Sequence, residues 1–159
     1  MSNLRIGLGY DLHRTIPGRP LVLANIVIPH DKGLDGHSDA DVVLHALIDA
    51  LTGAAGLPDV GQMFPNTDPQ YKGIDSAKLL EATMQEFAKT GYKILNTDII
   101  ILAQKPKLSP HKPQMIKRLA ELLQIREDQI NIKGKTGESV DAVGEEKAIA
   151  CQCVVLIEK

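Results

Sequence analysis

The chain has 159 residues, a formal net charge of −2, 43% hydrophobic residues and 3% aromatic residues. Few aromatic rings exclude a base-stacking nucleic-acid module, and 18 basic against 20 acidic residues exclude a basic phosphate-backbone binder. No apolar run is long enough for a membrane span, and the N-terminus shows no signal-peptide segment. We therefore expect one domain, residues 1–159, that is cytoplasmic and binds neither nucleic acid nor membranes.

Apolar runs alternate with turn-forming residues along the chain and predict an α+β protein. The expected elements, in chain order, are a strand at 5–10, a hairpin of 21–23 and 26–28, helices at 39–55 and 75–90, a strand at 94–103, a helix at 113–124, and strands at 130–135 and 148–157. This order predicts a two-layer α/β sandwich, with helices on one face of a mixed four-stranded sheet. The strand at 94–103 is so continuously apolar that we expect burial on both faces, and a partner subunit is the simplest cover.

The helix predicted at 39–55 contains no Lys, Arg or Glu, and Asp41, His45, Asp49 and Thr52 form one polar stripe along it. Two interpretations are open at this point. The stripe is either a narrow solvent-facing strip or a set of side chains that points into a polar site. In the second case His45 is a metal ligand or an acid–base group, and Asp49 is expected to orient a histidine.

Asp11 and His13 stand at the end of the first predicted strand and project from the same face of an extended chain. A carboxylate oxygen and an imidazole nitrogen suit zinc, and His45 would complete a three-ligand set with an open fourth position. An Asp-x-His pair alone is typical of surface loops, so this prediction depends on the neighbouring segments.

The segment 37–41 precedes the predicted helix. Ser38 and Asp41 have the spacing of a capping box at the start of a helix. A helix N-terminus also offers free N–H groups and positive potential to a phosphate, with His37 as a further donor. Capping is expected under either interpretation.

Elsewhere, Cys151 and Cys153 lie on one face of the last strand and are expected to be buried free thiols.

Five segments together resemble one enzyme family, although each is short. They are residues 9–13, 36–46, 64–69, 103–107 and 135–138. On these motifs the sequence resembles the 2-C-methyl-D-erythritol 2,4-cyclodiphosphate synthases of the non-mevalonate isoprenoid pathway. The resemblance runs in collinear order from about residue 4 to residue 158.

The resemblance implies a phosphorus–oxygen lyase. Such an enzyme converts 4-diphosphocytidyl-2-C-methyl-D-erythritol 2-phosphate to 2-C-methyl-D-erythritol 2,4-cyclodiphosphate and CMP, through attack of the 2-phosphate on the β-phosphate. It further implies a homotrimer packed through the sheets, with active sites at the subunit interfaces. The implied cofactors are Zn²⁺ or another divalent metal, one per subunit, and Mg²⁺ or Mn²⁺ with the substrate phosphates.

The resemblance also assigns roles by position. It makes Asp11, His13 and His45 the zinc ligands, Glu138 the magnesium ligand, and His37 and Thr136 the catalytic residues that stabilise the transition state. The substrate-binding residues it implies are Ser38, Asp59, Val60, Gly61, Phe64, Pro65, Asn66, Thr67 and Asp68. The nucleotide-binding residues it implies are Ala103, Gln104, Lys105, Pro106, Lys107, Leu108, Ser109, Lys135 and Gly137.

Four positions depart from the family pattern. Asn66 stands where members often carry Asp, and Lys135 stands where Thr is common. Ala142 and Glu145 stand where some relatives carry Phe and Arg, and in those relatives the Arg contributes to an anion site along the trimer axis. With Glu145 we expect no phosphate or prenyl-diphosphate binding at that place.

Two other functions stay open at the level of sequence. One is a zinc-dependent phosphohydrolase that uses water as nucleophile, with Asp59 or Asp68 as base. The other is an inactive trimeric ligand-binding module that keeps the metal for structure. The cytidine-like loop 103–109 argues against the first, and the open metal position argues against the second.

Overall fold

The computed structural model describes residues 3–65 and 67–159. The strands are β1 (Arg5–Pro17), β2 (Leu21–Leu23), β3 (Ile26–Ile28), β4 (Lys32–Leu34), β5 (Lys93–Leu102), β6 (Ile130–Lys135) and β7 (Ala148–Glu158). The α-helices are α1 (Val42–Ala55), α2 (Val60–Met63), α3 (Ser76–Lys89) and α4 (Lys112–Leu123), and short 3-10 turns lie at Pro69–Tyr71, Ser109–His111 and Glu127–Gln129.

The main sheet has five strands in the order β4-β1-β7-β5-β6, and β2 and β3 form a separate hairpin. Only β5 and β6 pair in parallel, so the sheet is mixed as predicted. The prediction of four strands is wrong. β4 has the sequence Lys-Gly-Leu, which shows no apolar pattern, and it exists because its backbone pairs with Thr15–Pro17 of β1. β1 itself continues well beyond residue 10, so Asp11 and His13 lie within the strand.

Helix α1 begins at Val42, three residues later than predicted. Its N-cap is Asp41, whose carboxylate accepts hydrogen bonds from the backbone N–H groups of Val43 and Leu44. The predicted capping box is therefore wrong, because Ser38 lies outside the helix and accepts from the N–H of Ala40 instead. The helix ends at Ala55, as predicted, and its C-cap Gly56 adopts the left-handed conformation at φ +74°.

The packing of α1 on β1 is unusually close. A Cβ atom at Gly9 would lie 1.8 Å from the carbonyl oxygen of Ala46, and one at Gly7 would lie 1.9 Å from that of Ala50. Neither position can hold a side chain, so the helix backbone contacts the strand backbone directly. Because alternate residues of a strand share a face, the next two inward positions after Gly9 are Asp11 and His13. The contact therefore places them beside the N-terminal turns of α1.

The core lies between this sheet face and the helices. Its largest fully buried members include Leu44, Leu47, Ile48 and Leu51 of α1, Leu80 of α3, Ile99 and Ile101 of β5, and Met115 of α4. Cys151 and Cys153 of β7 are buried free thiols, which confirms that prediction. Within the part of the chain that the structure describes, no helix is long and apolar enough to cross a membrane.

The opposite face of the sheet is exposed and apolar. Its β1 side chains, from Ile6 to Leu12 at every second position, are 45% to 70% exposed, and Leu4 just before the strand is 50% exposed. In β5, Ile99 and Ile101 are buried while Ile100 and Leu102 are only half-buried. The described residues supply helices for only one face, so burial of the other face by a partner subunit stays a prediction.

We predict that Gly9→Ala lowers the free energy of unfolding by about 3 kcal/mol, because the new methyl group must push α1 away from β1. The measurement is urea unfolding at fixed protein concentration. Gly53→Ala is the matched control, since Gly53 lies in α1 with open space around its Cα. That change should be neutral or stabilise the protein by up to about 1 kcal/mol. Equal stability of the two variants would contradict the close contact.

Candidate metal centre and active-site cavities

Three predicted side chains converge where α1 crosses β1. His13 Nε2 and His45 Nδ1 each lie 3.0 Å from Asp11 Oδ2, and the two nitrogens are 3.2 Å apart. One carboxylate oxygen and two imidazole nitrogens in this arrangement suit one zinc ion or a similar divalent metal. The predicted metal triad is therefore assembled by the fold.

The far nitrogen of each imidazole also has a partner. His13 Nδ1 lies 2.7 Å from the backbone carbonyl oxygen of Asp35. His45 Nε2 lies 3.0 Å from the hydroxyl oxygen of Ser76 and 3.2 Å from that of Ser38. Metal-binding histidines are usually held in this way, with one nitrogen on the metal and the other hydrogen-bonded. The donor set thus fits a metal in orientation as well as in composition.

The charges of the triad support one another. Burial acts to raise the pKa of Asp11, but hydrogen bonds to His13 and His45 outweigh it and hold the pKa well below its usual range. Burial acts to lower the pKa of His13, and the Asp11 carboxylate reverses this effect and raises it. Asp11 is therefore ionised at neutral pH, as a metal ligand must be.

A cavity of about 220 Å³ opens next to the triad. Besides the triad it is lined by Gly36, His37, Ser38, Val60, Gly61, Phe64, Tyr71, Ile74 and Leu79. The Nε2 atom of His37 is buried and has no hydrogen-bond partner among residues 3–65 and 67–159. A buried polar atom without a partner is rare in folded proteins and calls for a functional explanation. Because His37 also lines the cavity, contact with a bound group is the explanation that the site offers.

The segment that carries His37 is held by Arg19, a residue that the sequence did not point to. Its guanidinium group donates to the carbonyl oxygen of Gly36 at 3.0 Å and to that of Ser38 at 2.7 Å. The two hydrogen bonds flank His37 on both sides. No local pattern could reveal them, because they join residues 17 and 19 positions apart.

Of the predicted polar stripe, only His45 enters the site. Asp41 is fully buried and accepts from the N–H groups of Ala24 and Asn25 at 3.0 and 2.6 Å, in addition to its two capping bonds. Burial raises the pKa of Asp41 to about 6. Its carboxylate therefore joins α1 to the β2–β3 turn. The stripe is neither a solvent strip nor a row of site residues.

Asp49 also has a different role from the expected one. Its carboxylate accepts from the N–H of Val60 at 2.8 Å, at the start of α2, so the expectation that it orients a histidine is wrong. Asp59 caps the same helix through the N–H of Gln62. These contacts hold α2 against α1, and α2 brings Val60 and Gly61 to the cavity.

The remaining residues of the predicted substrate loop lie around α2. Phe64 lines the cavity, with Pro65 and Thr67 nearby in sequence, and Asn66 lies outside the described residues. Asp68 caps the turn Pro69–Tyr71, with both carboxylate oxygens accepting from Gln70. Ser38 is buried, with its hydroxyl close to Ala40, His45 and Ser76.

A second cavity, of about 290 Å³, contains most of the predicted nucleotide-binding residues. It is lined by Ala103, Gln104, Lys105, Pro106, Lys107, Leu108, Ser109, Lys112, Gly134, Lys135 and Thr136. Gly137 follows this group without lining the cavity. The Thr136 hydroxyl donates to the carboxylate of Glu138. The two cavities share no lining residue, so His37 and Thr136 lie at different places of one chain.

The family follows from the similarity of this sequence to known proteins. The YgbB family model matches residues 4–158. The 2-C-methyl-D-erythritol 2,4-cyclodiphosphate synthase of Desulfatibacillum aliphaticivorans is 48% identical over 155 residues, which cover 98% of this chain and 100% of that protein. The chain belongs to the 2-C-methyl-D-erythritol 2,4-cyclodiphosphate synthase family. It is therefore an enzyme of the non-mevalonate route to isoprenoids.

Solved structures of this synthase family have the same fold. The bifunctional IspDF of Campylobacter jejuni matches with a TM-score of 0.95 and 36% identity, over 99% of this chain and 43% of that longer chain. The Plasmodium falciparum IspF in a CDP complex matches with a TM-score of 0.86 and 35% identity, over 98% of this chain and 96% of that one. The five-stranded mixed sheet and its helices thus belong to the synthase fold.

We predict that Asp41→Ala lowers the free energy of unfolding by about 3 kcal/mol, because four backbone N–H groups lose their acceptor. Thermal and urea unfolding measure the effect. Asp75→Ala is the control, since Asp75 is an exposed N-cap of α3 and its loss should cost about 1 kcal/mol. A smaller loss for Asp41→Ala than for Asp75→Ala would contradict the role given to Asp41.

Proposed function

We propose that the chain converts 4-diphosphocytidyl-2-C-methyl-D-erythritol 2-phosphate to 2-C-methyl-D-erythritol 2,4-cyclodiphosphate and CMP. The observation that carries the proposal is the triad of Asp11, His13 and His45 beside the unpaired His37 Nε2, in a chain of this synthase family. An oxygen of the 2-phosphate forms a bond to the β-phosphorus. The bond from that phosphorus to the bridging oxygen of CMP breaks, and CMP leaves with the electron pair.

The reaction needs no side-chain nucleophile, because the substrate supplies its own. What it needs is a folded substrate, an in-line arrangement and neutralisation of the repulsion between phosphates. His37 is placed to meet one phosphate, and Arg19 fixes the backbone on both sides of it. We assign to Ser38 a further contact with the same phosphate and to residues 59–68 the methylerythritol part.

Two metal sites follow from the same proposal. Asp11, His13 and His45 would hold Zn²⁺ or another divalent ion, and Glu138 would hold Mg²⁺ or Mn²⁺. When bound, such ions supply positive charge that stabilises the phosphates and the leaving group. Thr136 donates to the Glu138 carboxylate and so orients it, and we assign Thr136 to the transition state together with His37. The cytidine part would occupy the cavity formed by residues 103–109 with Lys135.

We further propose a homotrimer that packs through the exposed sheet faces. Two observations support it. The apolar face of β1 is not covered by residues 3–65 and 67–159, and among these residues the metal-side and nucleotide-side cavities share no lining residue. A site shared by neighbouring subunits would bring the two cavities together, with His37 from one subunit and Thr136 from the next. Glu145 pairs with Lys147, and we assign no anion site to it.

The alternative of a phosphohydrolase is not favoured by the site. A base that activates water needs a free carboxylate oxygen directed at that water. Asp68 uses both oxygens on the backbone and side-chain N–H groups of Gln70, and Asp59 uses Oδ1 on the N–H of Gln62 as the N-cap of α2. Neither residue lines the cavity beside the triad.

We predict that the protein with Zn²⁺ and Mg²⁺ turns the cytidine-linked substrate into cyclic diphosphate and an equal amount of CMP, as followed by phosphorus NMR.

His45→Ala should lose bound zinc, and Glu138→Ala should keep zinc but bind CDP more weakly. Elemental analysis and calorimetry with CDP make the two measurements. Linear phosphate products would support hydrolysis, and unchanged zinc in His45→Ala would refute the ligand assignment.

We predict that Ile6→Glu converts the trimer to monomers and abolishes turnover, because a buried carboxylate without a partner is costly at an apolar contact. Light scattering coupled to gel filtration measures the mass. Val27→Glu is the matched control, since Val27 is 65% exposed and Ile6 is 70% exposed, but Val27 lies on the β2–β3 hairpin. A wild-type monomer, or equal effects of both changes, would contradict this interface.

A further inference from the structure

The nitrogen of His45 that faces away from the triad contacts a buried polar pair. Ser76, the first residue of α3, is fully buried, and its hydroxyl oxygen lies 3.0 Å from His45 Nε2. The same hydroxyl lies 2.5 Å from Asp39 Oδ1. Asp39 accepts two further hydrogen bonds, from the N–H groups of Asp41 and Ser76, both at 3.1 Å. A carboxylate, a hydroxyl and an imidazole thus form a continuous chain that ends at the metal triad.

Counting the hydrogens assigns each donor in this chain. A serine hydroxyl has one hydrogen, and that of Ser76 is donated to Asp39. The Ser76 oxygen is then an acceptor toward His45 Nε2. When Nδ1 ligates a metal, the ring hydrogen of His45 lies on Nε2, and the Ser76 oxygen is placed to accept it at 3.0 Å. The Ser38 hydroxyl oxygen lies 3.2 Å from the same nitrogen and is its second polar neighbour.

We propose that Asp39 and Ser76 are positioning residues that hold His45 in the tautomer whose Nδ1 can ligate the metal. The inference rests on the proposed metal role of the triad and adds the two residues that prepare it. His13 obtains the equivalent support from the carbonyl oxygen of Asp35. The support of His45 comes from side chains, so it can be removed by substitution.

The same contacts tie α3 to the metal site. Besides the Ser76 N–H on Asp39, the backbone N–H of Asp39 donates to the carbonyl oxygen of Ile74 at 3.0 Å. The N-terminus of α3 and the segment before α1 are therefore fixed to each other by three hydrogen bonds. A shift of α3 would move Ser76 away from His45 and change its orientation.

Zinc affinity of the full-length protein, measured by competition with a chromophoric chelator, gives the first test. Ser76→Ala removes the acceptor of the His45 hydrogen, and we expect zinc binding to weaken about 10- to 100-fold, as for other partners of metal-bound histidines. Asp75→Ala is the matched control. It perturbs the N-terminus of α3 and leaves Ser76 in place, so its zinc affinity should equal that of the wild type.

The tautomer of His45 gives a second test that a merely structural role would not change. Long-range proton–nitrogen NMR of the metal-free protein at alkaline pH should show His45 with its hydrogen mainly on Nε2 in the wild type and in Asp75→Ala. Ser76→Ala should show a mixture of tautomers, because the Asp11 carboxylate, 3.0 Å from Nδ1, then competes for the hydrogen without opposition from Ser76. Asp39→Asn should also show one, because an amide can donate to the Ser76 oxygen and so turn the serine hydrogen toward His45.

The outcomes distinguish the positioning role of Asp39 and Ser76 from the metal role of the triad. Unchanged zinc affinity and an unchanged tautomer in Ser76→Ala overturn the positioning role, as would equal losses of affinity in Ser76→Ala and Asp75→Ala. If His45→Ala itself binds zinc normally, the metal triad fails, and the positioning role fails with it. Weaker zinc binding in Ser76→Ala with a mixed tautomer, while Asp75→Ala stays normal, supports the proposal.

Discussion

The site depends on the direct contact between the backbones of α1 and β1. Gly7 and Gly9 have no room for a side chain, so the helix lies against the strand at the level of Ala46 and Ala50. The two-residue period of the strand then presents Asp11 and His13 next, and the helix presents His45 beside them. The spacing of the metal triad is thus a consequence of backbone packing, and a rigid strand and helix hold it.

Polar contacts outside the triad give its members their orientation. The Asp35 carbonyl holds His13, and the Ser76 hydroxyl holds His45. Arg19 fixes the backbone around His37 through the carbonyl oxygens of Gly36 and Ser38, and neither of these residues is a metal ligand. These contacts join the loop before α1, the hairpin side of the sheet and the start of α3. In the proposed reaction, where position and charge replace a nucleophile, such rigidity is the main contribution of the protein.

The proposed function also explains the low net charge and the exposed apolar face of the chain. A net charge of −2 is unexpected for a protein that binds several phosphates. The metal-side cavity is lined by imidazoles and a carboxylate and by no lysine among the described residues, whereas four lysines line the second cavity. Metal ions would therefore provide much of the positive charge. The exposed apolar sheet face would be covered by the neighbouring subunit of the proposed trimer.

The sequence by itself determined the family through five short motifs. It also determined the α+β class and the three residues of the metal triad, because a two-residue strand period and a histidine in an apolar helix are local patterns. It did not determine where Asp41 and Asp49 point. Asp41 is the N-cap, so its side chain leaves the helical stripe and binds the β2–β3 turn. The fifth strand was equally hidden, because backbone pairing creates β4 without an apolar pattern. Ser76 reaches His45 across 31 positions, and only tertiary packing decides which polar groups meet at such a separation.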